Sequence, residues 1–256
     1  MSGSAVVPNR DDPLFQEVFR PVTKTYRTQT YAAIDPTRPA LSNRGKTAVV
    51  AGAGTGIGAA CALSLAKSGV AAVALLARTE SALKQTKSAI EALGLGTRVF
   101  VYAVEIGNAE ALNRALAEFA ANNGSDQKKV DILVASAGIM PVIISIEEAD
   151  ADAWWKGFEV NVRGRFNLLR AFGPVAADGG VVIHITTAAL HMGSEQLPWD
   201  DVELSGDFVN WATSSEAAFL KNRFVHVNWD VEELMQRKAD VEKDPFLFTV
   251  SLKGWA

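Results

Sequence analysis

Three regimes of hydrophobic patterning divide this chain. Residues 1–43 show no sustained period, and Pro8, Pro13, Pro21, Pro36 and Pro39 interrupt them repeatedly, so they are expected to form an extended N-terminal arm ahead of a domain spanning 44–256. From Lys46 the pattern alternates strictly: nearly continuous apolar runs, such as Thr47-Ala48-Val49-Val50-Ala51, are followed by amphipathic stretches with a period of three to four. Unbroken apolar runs read as strands covered on both faces, and the periodic stretches read as helices. The pattern predicts strands near 46–51, 71–77, 98–104 and 130–135, and helices over 56–68, 79–92 and 108–121. Such alternation implies an α/β fold: a doubly wound, Rossmann-like parallel sheet with right-handed crossovers, in a single domain.

Beyond residue 150 a long helix is predicted to 172, and Gly179-Gly180 introduces a further buried strand, Val181 to Ile185. There the regularity fails. Residues 188–207 read as loop, a short helix is expected over 208–219, the apolar stretch 223–228 is expected to add a strand, and a charged helix follows near 230–239.

Bulk composition narrows the functional classes. The chain has 256 residues, 48% hydrophobic and 21% charged, enough for one buried core. A net charge of -4 without a run of five like charges gives no footprint for nucleic acid or an anionic membrane, so small molecules or protein chains are the expected partners. The single cysteine, Cys61, forms no intramolecular disulfide and reads as a packing residue of a reducing compartment. The first dozen residues lack the basic and apolar regions of a signal peptide, which makes the cytoplasm the expected location. His184, His191 and His226 lack acidic or cysteine partners at ligand spacing, so no metal site is expected. Five of the six tryptophans, Trp154, Trp155, Trp199, Trp211 and Trp229, read as core and loop packing.

The candidate chemistry begins at Gly52-Ala53-Gly54-Thr55-Gly56-Ile57-Gly58, between the first predicted strand and helix. Glycines at 52, 56 and 58 suit a tight turn where backbone amides approach a pyrophosphate at the positive end of a helix. An acidic residue ending the second strand would accept from the ribose 2′-hydroxyl of NAD. That place holds Ala77 and then Arg78, which favours the 2′-phosphate of NADP and leaves NAD open.

Three further segments, on the expected elements and in order, carry a resemblance. Ala135-Ser136-Ala137-Gly138 follows the fourth strand, Glu159-Val160-Asn161-Val162-Arg163-Gly164 lies in the long helix, and Ile185-Thr186-Thr187-Ala188 ends the fifth strand. With the glycine loop they resemble the short-chain dehydrogenase/reductase family over about residues 44–191. The arm from Tyr31 and the tail from Glu216 are similar to fungal members, several of them from secondary-metabolite pathways. The resemblance implies that Gly52, Gly54, Thr55, Gly56, Ile57 and Gly58 hold pyrophosphate and ribose. It further places Arg78 on the 2′-phosphate, Glu105 and Ile106 beside the adenine, and Ala137 and Gly138 beside the nicotinamide half. In the same way Thr187 polarises a carbonyl and Asn161 is a relay residue. Departures include Ala51 and Ala135-Ser136 where the family carries threonine and asparagines, Glu105 for aspartate, and Thr187 for serine.

The family's proton donor is a tyrosine with a lysine four residues on, and here the last tyrosine is Tyr102. Trp211-Ala212-Thr213-Ser214-Ser215 only superficially matches Tyr-Ala-Thr-Ser-Lys, since an indole N–H is no useful acid. The better alignment omits the segment between about His191 and Asp200. The fold is then one strand and one helix short of the family, and part of its usual dimer interface is gone, although a homo-oligomer stays open. His191, just beyond the strand end, is a candidate substitute acid by the ordinary range of an imidazole, against the commoner reading of a solvated loop histidine. The expected function is an NADP-dependent oxidoreductase acting on a carbonyl or alcohol of a small, secondary-type metabolite, with impaired activity. The alternative is a non-catalytic dinucleotide-binding protein or a truncated product of such an enzyme gene.

Overall fold

The computed structural model describes residues 22–140, 144–186 and 200–249. Strands β1 Thr47–Ala51, β2 Ala72–Ala77, β3 Arg98–Ala103, β4 Val130–Ala135 and β5 Ala176–His184 form one parallel sheet in the order β3-β2-β1-β4-β5. The order reverses between β1 and β4, so the chain diverges there and opens a crevice at the strands' carboxyl ends. Helices α1 Gly56–Lys67 and α2 Glu80–Ala92 cover one face; α3 Ala109–Asn122 covers the other, with a long helical rod. The rod comprises α4 Ala151–Phe158, a π turn Glu159–Gly164 and α5 Arg165–Phe172.

Each face closes its own core. Leu112, Leu116 and Phe119 of α3 join Leu168 and Phe172 of α5 over β1 and β4; Cys61 and Leu65 of α1 join Leu83 and Ile90 of α2 over β1 and β2. β1 is buried at every position, as its unbroken apolar run requires. The helices on the second face start where short polar side chains can accept orphan amides: Asn108 accepts from Ala111 N at 3.0 Å and Asp150 from Ala153 N at 2.8 Å.

Four expectations are corrected. The fifth strand begins earlier, at Ala176, and is the sheet's edge rather than a buried strand. Gly179 takes φ +74°, the register slips opposite Val130 and Ile132, and Asp178, Val182 and His184 stay exposed. The predicted strand over 223–228 does not form. Phe224, His226, Trp229 and Phe248 instead stack in a chain with centroids 5.1–5.2 Å apart, and Trp229 makes an antiparallel bridge to Tyr26. Its apolar positions are thereby satisfied away from β5. The helix expected over 208–219 is α6 Val202–Ala212, followed by a 3-10 segment Ser215–Leu220. It starts early because Gly206 lets it lie directly on α1: a β-carbon there would sit 2.6 Å from the Ala60 carbonyl oxygen. The charged tail resolves into two short helices, α7 Val231–Gln236 and α8 Lys238–Lys243.

The described part of the arm is irregular, as its prolines dictate, yet it packs. Ile34 and Leu41 are fully buried in a third core with Leu204, Phe208, Trp211, Trp229, Val231 and Leu234. Arg27 binds Asp230 through Nε at 2.9 Å and Nη2 at 2.7 Å, while Asp230 caps α7 by accepting from Glu232 N and Glu233 N at 3.0 Å. Buried Asp207 of α6 accepts from Ser64 of α1 at 2.7 Å and from Thr30 of the arm at 2.5 Å, tying three segments together. Trp211 and Trp229 are core residues as expected, whereas Trp154 and Trp155 are 51% and 56% exposed. With Phe158, Val162, Phe166 and Leu169 they form an apolar stripe along the outside of the rod.

Two outcomes follow from this packing. Gly206→Ala is expected to push α6 off α1 at a cost of about 1–3 kcal/mol, read as a lower urea midpoint; an unchanged midpoint would contradict the close approach. Burial holds the His226 imidazole below its ordinary value of 6.5. The unfolded chain therefore takes up that proton first, and stability is expected to fall as pH drops below about 6.5. Urea unfolding across that range should lose this component in His226→Phe.

Candidate functional site

The turn after β1 is shaped by contacts that only glycine permits. Gly52 has φ +85°, and a β-carbon on it would lie 2.7 Å from the Ala137 amide nitrogen; one on Gly58 would collide with the Gly52 carbonyl oxygen. Gly52 N and Ala53 N both donate to Leu76 O, at 2.7 and 3.2 Å, which ties the turn to β2. From α2, the Thr86 hydroxyl donates to Ala53 O at 2.9 Å and braces the loop from behind. Sequence reading missed Thr86, whose only signal is a buried hydroxyl on a mostly polar helix.

α1 then begins with its amides open. Thr55 stands at the cap without a side-chain hydrogen bond, no acidic residue occupies the first turn, and Thr55, Gly56 and Ile57 are exposed. Gly56 has φ +56° and no heavy atom within 4 Å of where a β-carbon would sit. N–H groups without a side-chain cap at the positive end of a twelve-residue helix, beside a turn of backbone and glycine, have the polarity to receive an anion.

Arg78 follows β2 directly, is exposed, and makes no ion pair among the described residues. Glu105 is not a free acceptor: Lys156 of α4 reaches it at 3.2 Å and Glu159 at 3.2 Å. Hydrogen bonds donated to these two carboxylates hold the Lys156 ammonium above its ordinary pKa. Ile106 is buried against Gly164, where a β-carbon would lie 2.7 Å from its Cδ1, and so acts as a packing anchor between β3 and the rod.

At the end of β4, Ser136 N donates to Ala51 O at 3.0 Å and sets Ala137 and Gly138 beside the glycine turn. Asn161, in the π turn, clips the next residue on both sides: its Oδ1 accepts from Ile139 N at 2.9 Å and its Nδ2 donates to Ile139 O at 2.8 Å. Its amide is fully engaged in holding this loop. Arg165 lies one turn further along, with its guanidinium bonded to the Ile185 carbonyl. Burial lowers the Arg165 pKa, and burial together with the Arg165 charge lowers that of His184.

The structure thus brings together Gly52 to Gly58, Ala137, Gly138 and Asn161, with Arg78 at the adjacent strand end. Thr187 and His191 lie outside the described residues. The last tyrosine is no acid for this crevice: burial, with the nearby Glu118 carboxylate, pushes the Tyr102 phenol up to about 12. Trp211, the counterpart of tyrosine in the superficial match, is fully buried in the third core and donates to Glu216 at 3.2 Å. Among the described residues no helix is long and apolar enough to cross a membrane.

With this geometry in hand, residues 46–199, more than half of the chain, match the family model for short chain dehydrogenases. The chain belongs to the short-chain dehydrogenase family. By that resemblance it is an oxidoreductase. Its similar relatives are fungal: the short chain dehydrogenase/reductase AacuD of Aspergillus aculeatus is 25% identical over 93% of this chain and 98% of its own length. One from Claviceps purpurea is 25% identical over 93% and 96%. These alignments run to 289 and 290 positions, longer than the 256 residues here, so both relatives carry residues with no counterpart in this chain. Among solved structures, a doubly substituted short-chain dehydrogenase/reductase of Serratia marcescens is 29% identical, with a TM-score of 0.51 over 65% of this chain and 64% of that one. L-Sorbose reductase from Gluconobacter frateurii, complexed with NADPH and L-sorbose, is 25% identical, with a TM-score of 0.52 over 71% and 66%.

Asn161→Ala removes both bonds to Ile139 and is expected to cost about 1–3 kcal/mol. Hydrogen exchange should show faster loss of protection at the Ile139 amide; unchanged exchange there would mean the loop is held by other contacts.

Proposed function

We propose that this chain is an NADP-preferring short-chain oxidoreductase of small carbonyl or alcohol metabolites, secondary metabolites among them, that holds its coenzyme but turns over slowly. The observation that carries the reading is the glycine turn at Gly52 and Gly56 beside the uncapped start of α1, where backbone amides without a side-chain cap suit a pyrophosphate. Arg78, exposed and without an ion pair among the described residues, supplies a cation for a 2′-phosphate at the place where an acidic residue would select NAD. Ala137 and Gly138 present backbone to the nicotinamide half, and Asn161 keeps that backbone in place. Glu105 meets the adenine end only by sharing its carboxylate with Lys156. The coenzyme, when bound, supplies or accepts a hydride; the chain's own residues grip it, orient it and present the substrate.

Slow turnover follows from the proton. No tyrosine occurs after Tyr102, and the relatives' extra positions are consistent with loss of the segment that carries Tyr-x-x-x-Lys. Thr187 is assigned to polarise the carbonyl, since its hydroxyl is too weak an acid to protonate an alkoxide near neutral pH. Loss of a positioned general acid costs about 10²- to 10⁴-fold in rate. A binding protein without turnover is the second reading, favoured by the same missing tyrosine.

Fluorescence titration is expected to show NADPH binding more tightly than NADH, with Arg78→Ala reducing that preference about tenfold and leaving NADH affinity unchanged. Gly52→Ala, strained at φ +85° and directed at the Ala137 amide, is expected to abolish binding of both. No NADPH binding, or tighter NADH, overturns the coenzyme assignment. Brisk reduction across a ketone panel overturns the slow-turnover assignment, and none at all favours the binding protein.

A further inference from the structure

The coenzyme reading leaves one cation at the sheet's carboxyl edge unused. Arg165 is the first residue of α5 and follows Asn161 by four positions, so the two side chains leave the rod on one face. Asn161 is committed to Ile139, and the guanidinium lies just past it. A β-carbon on Gly138 would be 3.1 Å from Asn161 Oδ1 and 3.9 Å from Arg165 Nη2, and Nη2 donates to the Ile185 carbonyl. Arg165 therefore spans the carboxyl ends of β4 and β5, where open α/β sheets receive their ligands. It sits beside the glycine assigned to the nicotinamide half, away from the turn assigned to the pyrophosphate.

Its charge has no use within the described residues. No carboxylate pairs with Arg165, the Ile185 carbonyl is its single hydrogen-bond partner, and Nε is buried without a partner. Pegging one carbonyl needs an N–H and not a cation, while a half-buried guanidinium without a counter-ion is costly to keep. His184 on the adjacent strand does not offset it, because an imidazole is neutral or positive and is never a counter-anion. A planar fork with donors to spare matches a carboxylate. We propose that Arg165 binds the carboxylate of an anionic substrate, so that the compounds this crevice accepts are carbonyl or hydroxy acids rather than neutral ketones. The inference rests on the coenzyme reading only for which end of the crevice holds the reacting carbon.

The full-length chain saturated with NADPH, titrated with phenylglyoxylate and 2-oxohexanoate and with the methyl ester of each, tests it through nicotinamide fluorescence. Each acid is expected to bind about tenfold more tightly than its ester. Arg165→Gln should erase that difference, Arg165→Lys should keep part of it, and neither should change NADPH affinity. Equal binding of acid and ester, no binding of either acid, or an acid preference that survives Arg165→Gln overturns the proposal. So does a loss of NADPH affinity in Arg165→Gln, which would assign the cation to the coenzyme. Titrating the coenzyme-free chain by tryptophan fluorescence separates the two readings: acid preference without any NADPH binding refutes the coenzyme reading alone, and the absence of both refutes both.

Discussion

The distance between α1 and the turn after β1 governs the candidate site. With hydrogen at position 58 the helix rests against the Gly52 carbonyl, and with hydrogen at position 52 the turn rests against the Ala137 amide. Three pieces of chain far apart in sequence, the ends of β1 and β4 and the start of α1, thereby meet backbone to backbone. The amides of α1 are left facing outward, because the side chains that would otherwise cap them are missing or turned away. Thr86 of α2 and Leu76 of β2 fix the turn and Asn161 fixes the β4 loop from the rod, so both pieces of backbone are held in place.

Where strands are buried on both faces the sequence is direct. β2 is an unbroken apolar run, and β1 and β4 are apolar except for Thr47 and Asp131, which bond each other, because the helices on both sides leave the strands almost no solvent; their bounds fall within a residue or two of the periodicity. The glycine loop was legible for the same reason, since a backbone-lined turn needs glycine at fixed spacing. Legibility ends at residue 176. The stretch 223–228 is as apolar as a strand, but an aromatic stack and the Tyr26 bridge satisfy it instead, and neither is visible in a local pattern. Asn161 was recognisable by motif, while its bonds to Ile139 depend on a π turn that no spacing announces.

The arm and the tail explain each other. Separately each is too short and too interrupted to bury a core; together they enclose Ile34, Leu41, Trp211 and Trp229. Their joint is electrostatic as well as apolar, with Arg27 on Asp230 and Arg38 on Glu216 at 3.0 Å. Asp207 then couples this lobe to α1 through Ser64, so the helix that follows the glycine turn and the third core share a buried carboxylate. The opposite flank has no such cover among the described residues: β5 offers a free edge, and the rod beside it carries its apolar stripe outward.

Cys61 lies on α1 with no exposed surface, and burial, reinforced by the Asp207 charge, pushes its thiol up to about 12. A thiol so protonated and enclosed is inert while the helix stays seated, and it becomes alkylatable only in conformers where α1 has lifted from the sheet. The chain therefore contains its own chemical clock: the labelling rate of a lone sulfur counts the excursions of the helix that follows the glycine turn, and any ligand that seats that helix slows the count.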